Sequence, residues 1–446
     1  MGNLNGRGGS RATPVIPETL LQPRAVLGTQ PLDGFLRRAA RDHMLILPRL
    51  LFGDSGYTAR SSPGRARCPL RPERLANDGV SQPAAITSVE MPAPALRFAS
   101  VDALTDAQAL GAVAGAVVSV SRERLSGLGA SGSYHERLAL KLRSGEQRRL
   151  MLKHIEFDAD FTVYRTGSMV SREVALVSEA ALNGVWEIFR CPYLGFAADD
   201  GRAALLKEDV SAYLLPDVDE PIDVAVEDLL LGALARLHAR YWESELLDLP
   251  WLVSPATFFG LLGPQAGADD EQRASPHSLL RLVARGWETA FAFLPDRIVE
   301  MLTRPPDELA QACSGLPRTL LHGDTKVANF AFLPDGGVVA FDWALMGFGP
   351  PTLDLGWYLA VNSGRLARPK EGVIGRYRNY LETALGATFD DSQWAHLVSV
   401  GVLHGALMSL WEKALSVAAG TPGAVEEWRW WEDQLLGRRD AGELSP

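Results

Sequence analysis

The chain has 446 residues, 47% hydrophobic and 22% charged, and its 44 Lys and Arg against 54 Asp and Glu give a net charge of -10. Such proportions are ordinary for a globular protein, the length exceeds one common core so that two lobes are expected, and the acidic balance argues against nucleic acid, which calls for a basic face. No uninterrupted apolar run approaches the ~20 residues of a membrane span, and Cys68, Cys191 and Cys313 carry no disulfide or zinc-ligand spacing, so a reducing, cytoplasmic setting is expected.

Residues 1–95 contain 12 Arg, no Lys and 7 acids, a local charge of +5 in an acidic protein. Gly, Pro, Ser and Arg dominate, and the apolar run Met44 to Phe52 is too short and interrupted to span a membrane. This segment is read as a disordered N-terminal extension. Arg37, Arg38 and Arg41 precede the apolar run far from the N-terminus and without a small-residue cleavage pattern, which is not the form of a targeting leader. Patterned sequence begins just after Met91, so translation starting there is an expectation, one that native peptides upstream of Met91 would reject.

Gly127-Leu128-Gly129-Ala130-Ser131-Gly132 matches G-x-G-x-x-G. In a dinucleotide-binding fold such glycines follow a strand and open a helix. Here Leu138, Leu140 and Leu142 alternate with polar residues, Ser144-Gly145-Glu146 turns the chain, and Leu150 and Leu152 resume the alternation. That predicts a strand hairpin. A glycine loop on a hairpin lets backbone amides approach phosphates, which makes Gly127, Gly129 and Gly132 nucleotide-binding candidates. On the second strand Lys153 shares a face with Met151 and Ile155, so its ammonium leaves a partly buried surface and needs a partner. Val170, Val174, Val177 and Ala181 predict a helix from Val170 to Leu182 with Glu173 bordering the apolar stripe and Glu179 pointing away from it.

The run Ala203 to Leu206 leads into Lys207-Glu208-Asp209-Val210-Ser211, and His238 is read as a hydrogen-bonded core residue. The most informative stretch follows. Asp324, in a loop after the apolar Thr319-Leu320-Leu321, is placed to accept the proton of a hydroxyl. Asn329 to Leu333 and Val338 to Phe341 read as two strands joined by the turn residues Pro334-Asp335-Gly336-Gly337, which returns Asp342 beside Asn329. A neutral and a charged oxygen at that place suit Mg²⁺. His322 is read as packed rather than as an acid or base. Beyond Trp394 the pattern is helical, and Trp428, Trp430 and Trp431 are expected to pack against the body rather than stack on a ligand.

The series His322-Gly323-Asp324, four residues, Asn329, then Asp342-Trp343 resembles the catalytic loop and metal-binding segment of the aminoglycoside phosphotransferase and choline kinase-like family, distant relatives of protein kinases. The resemblance runs roughly from residue 100 to 415 and is strongest from 320 to 360. It implies an α+β, two-lobed protein kinase-like fold, with an N-lobe of antiparallel sheet plus helix at 96–209 for the nucleotide. A mainly helical C-lobe at 210–446 would carry catalysis and the acceptor. Asp324 is then the catalytic base, Asn329 and Asp342 hold the metal, and Lys326 neutralises the γ-phosphate. Lys153 takes the α and β phosphates and pairs with Glu173. Residues 207–211, Glu208 among them, form the inter-lobe hinge whose backbone meets the base, and Asp354, in the segment Gly349 to Trp357, braces the catalytic loop. The implied activity is transfer of the γ-phosphate of ATP, or of GTP, with Mg²⁺, to a hydroxyl of a small molecule. A catalytically inactive nucleotide-binding pseudokinase is the alternative. A metal-dependent phosphoesterase would need clustered histidines, and the eight here are dispersed. Neither the acceptor nor the oligomeric state follows from the sequence.

Overall fold

The computed structural model describes residues 95–125, 132–216, 218, 220–267, 278–440, 442 and 444. The expectations for residues 1–94, and those for Gly127 and Gly129, lie outside these residues.

The N-terminal part runs β1 (Leu96–Arg97), α1 (Ala107–Ala114), β2 (Val117–Arg124), β3 (Tyr134–Leu142), β4 (Gln147–Glu156), α2 (Phe161–Thr166), α3 (Arg172–Ser178), β5 (Tyr193–Asp199) and β6 (Arg202–Glu208). The strands form one sheet in the order β1-β5-β6-β4-β3-β2. Every pairing is antiparallel except β1 with β5, so the expected antiparallel sheet carries one parallel edge strand. Period-two alternation separates its faces. Leu138, Leu140, Leu150, Leu152 and Leu206 pack on one side with Leu110 of α1, while Lys153 and its cross-strand partner Leu205 look to the other.

The helix expected from Val170 to Leu182 is shorter. Ser171 caps it by accepting the Val174 N–H, and Glu179 leaves helical backbone at φ -88°, ψ 101°. The Glu179 carboxylate then accepts the Ala181 N–H and starts a 3-10 stretch, Ala180–Glu187. A side chain that bonds its own backbone offers the chain an alternative to the helix, and it wins here. The buried face is consequently Arg172, Glu173, Leu176 and Val177, with Val170 exposed. Glu173 lies inside that face rather than at its border.

The remainder is mainly helical: α4 (Val224–Arg240), α5 (Pro255–Gly260), α6 (Ser278–Phe293), α7 (Asp296–Leu302), α8 (Pro306–Leu309), β7 (Thr319–Leu321), β8 (Phe330–Phe332), β9 (Val338–Ala340), β10 (Gly347–Gly349), α9 (Thr352–Val361), α10 (Lys370–Leu385), α11 (Asp391–Ala418) and α12 (Ala424–Asp440). β7 pairs with β10 and β8 with β9, both antiparallel. Helices α9 and α11 approach closely because Gly356 and Gly401 meet there, where a Cβ on either would strike the other helix's backbone. Helix α11 is long and apolar enough to cross a membrane, but 89% of its apolar window is buried inside the protein. One apolar cluster runs from Ile155, Leu176 and Leu205 under the sheet to Leu234, Leu355 and Leu403, so sheet and helices share a core on either side of the cleft. Trp428 and Trp431 are buried in it, as their packing role requires.

Candidate active site

The hairpin of β8 and β9 places the first acid. Leu333 N–H donates to Gly337 O at 2.8 Å and Gly336 adopts φ 82°, closing the turn. Phe341 N–H donates to Asn329 O at 3.1 Å, which sets Asp342 beside Asn329. Asp342 itself has φ 62° and ψ 54°, a left-handed conformation that Asp and Asn tolerate better than other side chains do. Its Oδ1 lies 2.6 Å from Lys153 Nζ, which stands 2.5 Å from Glu173 Oε2. Tyr193 donates its hydroxyl to Glu173 Oε1 at 3.1 Å. Burial opposes the Lys153 ammonium, but Asp342 and Glu173 outweigh it and hold the pKa well above the usual lysine range. Burial likewise raises the Asp342 carboxyl, and the Lys153 charge overrides that and draws it to about 2.

The second acid stands on a loop gripped from below. Gly323 has φ 81°, and a Cβ there would strike Leu345 O, so only glycine fits before Asp324. Asp354, near the start of α9, accepts His322 N–H at 2.8 Å and Gly323 N–H at 2.9 Å. His238 Nε2 lies 3.1 Å from the same carboxylate, and its Nδ1 2.6 Å from the Tyr377 hydroxyl. His322 Nε2 bonds Phe341 O at 3.2 Å while its Nδ1 accepts the Asp324 N–H at 3.2 Å. That pairing needs the neutral ring, and burial pulls the His322 pKa to about 4. His322 is therefore a positioning residue.

Asp324 is engaged at both oxygens, by Trp357 Nε1 at 2.7 Å on Oδ1 and by Asn329 Nδ2 at 2.8 Å on Oδ2. Burial and the nearby Asp342 charge push its pKa to about 7, against the opposing pull of Trp357, Lys326 and Asn329. Asp324 and Asp342 line one small cleft together with Ser133, Lys153, Asp160 and Thr162. With the amide nitrogen of Asn329 committed to Asp324, its Oδ1 and the second oxygen of Asp342 are the residues' oxygens that could serve a cation. Among the described residues no group of three or more His, Cys, Asp or Glu could enclose a metal. One amide oxygen and one carboxylate fit Mg²⁺ bound in company with phosphate and water, which does not need a cage of protein ligands.

Residues 185–388 match the family model described as APH, phosphotransferase enzyme family. Across that span the chain is similar to that family. The match takes in Asp324, Asn329, Asp342 and Asp354 and begins after Lys153 and Glu173. Among curated proteins none matches. Similar solved structures include choline kinase LicA from Streptococcus pneumoniae, at 13% identity over 74% of this chain and 97% of that one, TM-score 0.40. A Plasmodium vivax ethanolamine kinase has 11% identity over 74% and 86%, TM-score 0.43, and the macrolide 2'-phosphotransferase MphH from Brachybacterium faecium 16% over 75% and 97%, TM-score 0.37. At these scores the likenesses say nothing of this chain's substrate.

The other phosphotransferase candidates are placed as follows. Lys326 is buried and lines a second, larger cavity of about 290 Å³, which adjoins Asp324 through Trp357. Gly132 adopts φ 80° against the backbone of Ala159, where a Cβ would collide. Glu208 differs from expectation. It ends β6 with its carboxylate half exposed and 3.7 Å from Arg148, on the sheet face opposite Lys153, and its N–H is taken by Pro192 O at 2.9 Å. Neither group reaches into the cleft.

Sequence reasoning passed over Trp357, Tyr193 and Asp160. Trp357 had a usable signal, since it follows Asp354 by three residues and so shares its helix face. Asp160 caps α2 by accepting the Val163 N–H at 2.9 Å, and burial raises its pKa to about 6. The Tyr193 contact crosses from β5 to α3, and no local pattern announces it.

Proposed function

We propose that this chain is a small-molecule phosphotransferase that moves the γ-phosphoryl group of a purine nucleoside triphosphate, ATP or GTP, to a hydroxyl. The observation that carries this reading is the single cleft in which Asp324, Asp342 and Lys153 meet. Phosphoryl transfer asks the protein mainly for positioning and charge. Mg²⁺, when bound, supplies neutralisation of the phosphate oxygens, and Asn329 and Asp342 are the residues that would hold it. Lys153, anchored by Glu173 and Asp342, turns its third N–H bond toward phosphate oxygens. Asp324, held in one plane by Trp357 and Asn329, orients the acceptor hydroxyl and receives its proton as the new O–P bond forms and the bond from the γ-phosphorus to the bridging oxygen breaks, releasing the nucleoside diphosphate. Its backbone is fixed in turn by Asp354.

The larger cavity supports entry of the acceptor beside Lys326. Its wall is apolar at Val327, Val361 and Met408. Its acids are balanced, since Lys413 lies 3.4 Å from Glu412 and 3.7 Å from Glu427. That balance gives no reason to favour a polycationic acceptor. The presence of a base, a metal pair and a phosphate lysine in one cleft disfavours the pseudokinase. The free thiols Cys191 and Cys313 accord with a reducing compartment such as the cytoplasm.

The test is a nucleotide-consumption screen over amino sugars, sugars, choline-like alcohols, hydroxy amino acids and macrolides, with Asp324→Asn as control. At least one acceptor should stimulate turnover, and the variant should lower kcat by on the order of 10² or more. No stimulation by any class, or unchanged turnover in the variant, defeats the proposal.

A further inference from the structure

We infer that Lys207 makes this site select a purine with a carbonyl at its 6-position, guanine or hypoxanthine, over adenine. The inference rests on the phosphotransferase reading and concerns the donor nucleotide.

Lys207 lies on β6 opposite Met151 of β4, while Leu205 lies opposite Lys153. Lys207 and Lys153 thus share the cleft face of the sheet on adjacent strands, two residues or ~7 Å apart along it. Lys207 is the nearer to the connection that leaves β6 for the helical part. If Lys153 takes phosphates beside Asp342, the base lies away from the phosphates, toward that connection and Lys207.

Lys207 is only 8% exposed, yet among the described residues it has neither an ion pair nor a hydrogen bond. Two other lysines buried at this depth are not left so: Lys153 meets Glu173 and Asp342, and Lys413 meets Glu412 and Glu427. A buried ammonium without an acceptor is costly to maintain unless a ligand completes it. Its one close partner is a ring, with Nζ 5.0 Å from the centroid of Phe341, the residue before Asp342. Phe341 holds the ammonium on the cleft side. Burial lowers the Lys207 pKa to about 8, with repulsion from Lys153 adding to it and the charges of Glu173 and Asp342 opposing it, so at pH 7 it is still chiefly an ammonium with three donors and no acceptor.

The two purine classes answer such a group oppositely. Guanine and hypoxanthine present O6, an acceptor, and adenine presents an amino group, a donor. Donor against donor leaves the ammonium desolvated and unpaired, the situation in which a polar site rejects a near-isostere most strongly. Hypoxanthine lacks the 2-amino group of guanine, so it isolates the O6 contact.

The experiment is equilibrium binding of Mg²⁺ complexes of GTP, ITP and ATP to the full chain at pH 7, by calorimetry or displacement of a fluorescent nucleotide, repeated with Lys207→Met. In the wild type GTP and ITP should bind alike and about tenfold or more tighter than ATP. Lys207→Met should shrink that gap to about threefold or less by weakening GTP and ITP. ATP binding as tightly as GTP in the wild type overturns the inference, with or without a folded variant. An unchanged gap in Lys207→Met does so too, by moving the selectivity elsewhere. Binding of ATP in preference to GTP would leave the phosphotransferase reading standing, whereas no binding of any of the three removes both.

Discussion

Trp357 donates its indole N–H to Asp324 Oδ1 at 2.7 Å from one turn along α9 beyond Asp354, the residue that holds the backbone of the same loop. One helix therefore fixes both the position of the loop that carries Asp324 and the plane of its carboxylate. Trp357 also lines the larger cavity beside Lys326. Trp357→Phe keeps most of the ring and removes the donor, so kcat should fall by about tenfold to a hundredfold, the scale of a lost hydrogen bond to a charged group. Nucleotide affinity should stay within about threefold of wild type on the same scale. Steady-state kinetics beside calorimetric titration separates the two effects, and an unaltered kcat would mean that Asp324 needs no such clamp.

Glu173 is the buried anchor of Lys153, at 2.5 Å and with 1% of its side chain exposed. Breaking a buried pair leaves a charge without compensation, but Lys153 retains Asp342, so the loss in Glu173→Gln is expected at about 1–3 kcal/mol. The functional consequence is larger. Lys153 would then lean on Asp342 alone and compete with a cation for it. Nucleotide affinity in Mg²⁺ should drop by about tenfold, with thermal unfolding measured on the same sample. A variant as stable as wild type and with undiminished affinity would show that the pair is ornamental.

The catalytic hairpin was legible because turn residues and β-branched runs are local: Pro334 to Gly337 reverse the chain, and the spacing then leaves Asp342 beside Asn329 whatever the rest of the molecule does. Lys153 was legible by strand alternation. The extent of the following helix was not, because Glu179 ends it through a bond to its own neighbourhood that hydrophobic periodicity does not register. The roles of Trp357, Tyr193 and Lys207 depend on which strand or helix lies alongside, and the sequence of each element is silent on that. Glu208 was placed with the hinge by the family resemblance, and strand alternation turned its carboxylate to the far side.

Asp342 offers a cleaner substitution than its strained backbone would lead one to fear. Asn tolerates the left-handed region nearly as well as Asp, so Asp342→Asn should fold, keeping the volume and removing the charge. Affinity for a nucleotide in Mg²⁺ should weaken by about tenfold or more, while affinity in chelator should change far less, because phosphate loses a competitor for Lys153 as the metal loses a ligand. Calorimetry in Mg²⁺ and in chelator reads the difference. Equal Mg²⁺-dependent affinity in variant and wild type would remove Asp342 from the metal site.

Acid stability tests the buried histidines. His404 bonds Leu353 O through Nδ1 at 2.9 Å, while its Nε2 is buried without a partner, so the ring is neutral and burial lowers its pKa to about 4. The unfolded value is about 6.5. Between those two the unfolded chain binds more protons than the native one, so the stability contribution is complete above pH 6.5 and is lost as pH falls toward 4. From pH 7 to pH 5 the loss is about 2 kcal/mol for this residue. His322 acts in the same sense, and Asp160 and Asp324, raised to about 6 and 7, act in the opposite one over an overlapping window. The deciding comparison is therefore His404→Gln against wild type. Gln can still donate to Leu353 O but does not titrate, so the variant should lose about 2 kcal/mol less than wild type between pH 7 and pH 5 in denaturant unfolding. Two parallel profiles across that interval would show that His404 titrates in the folded protein as it does in water.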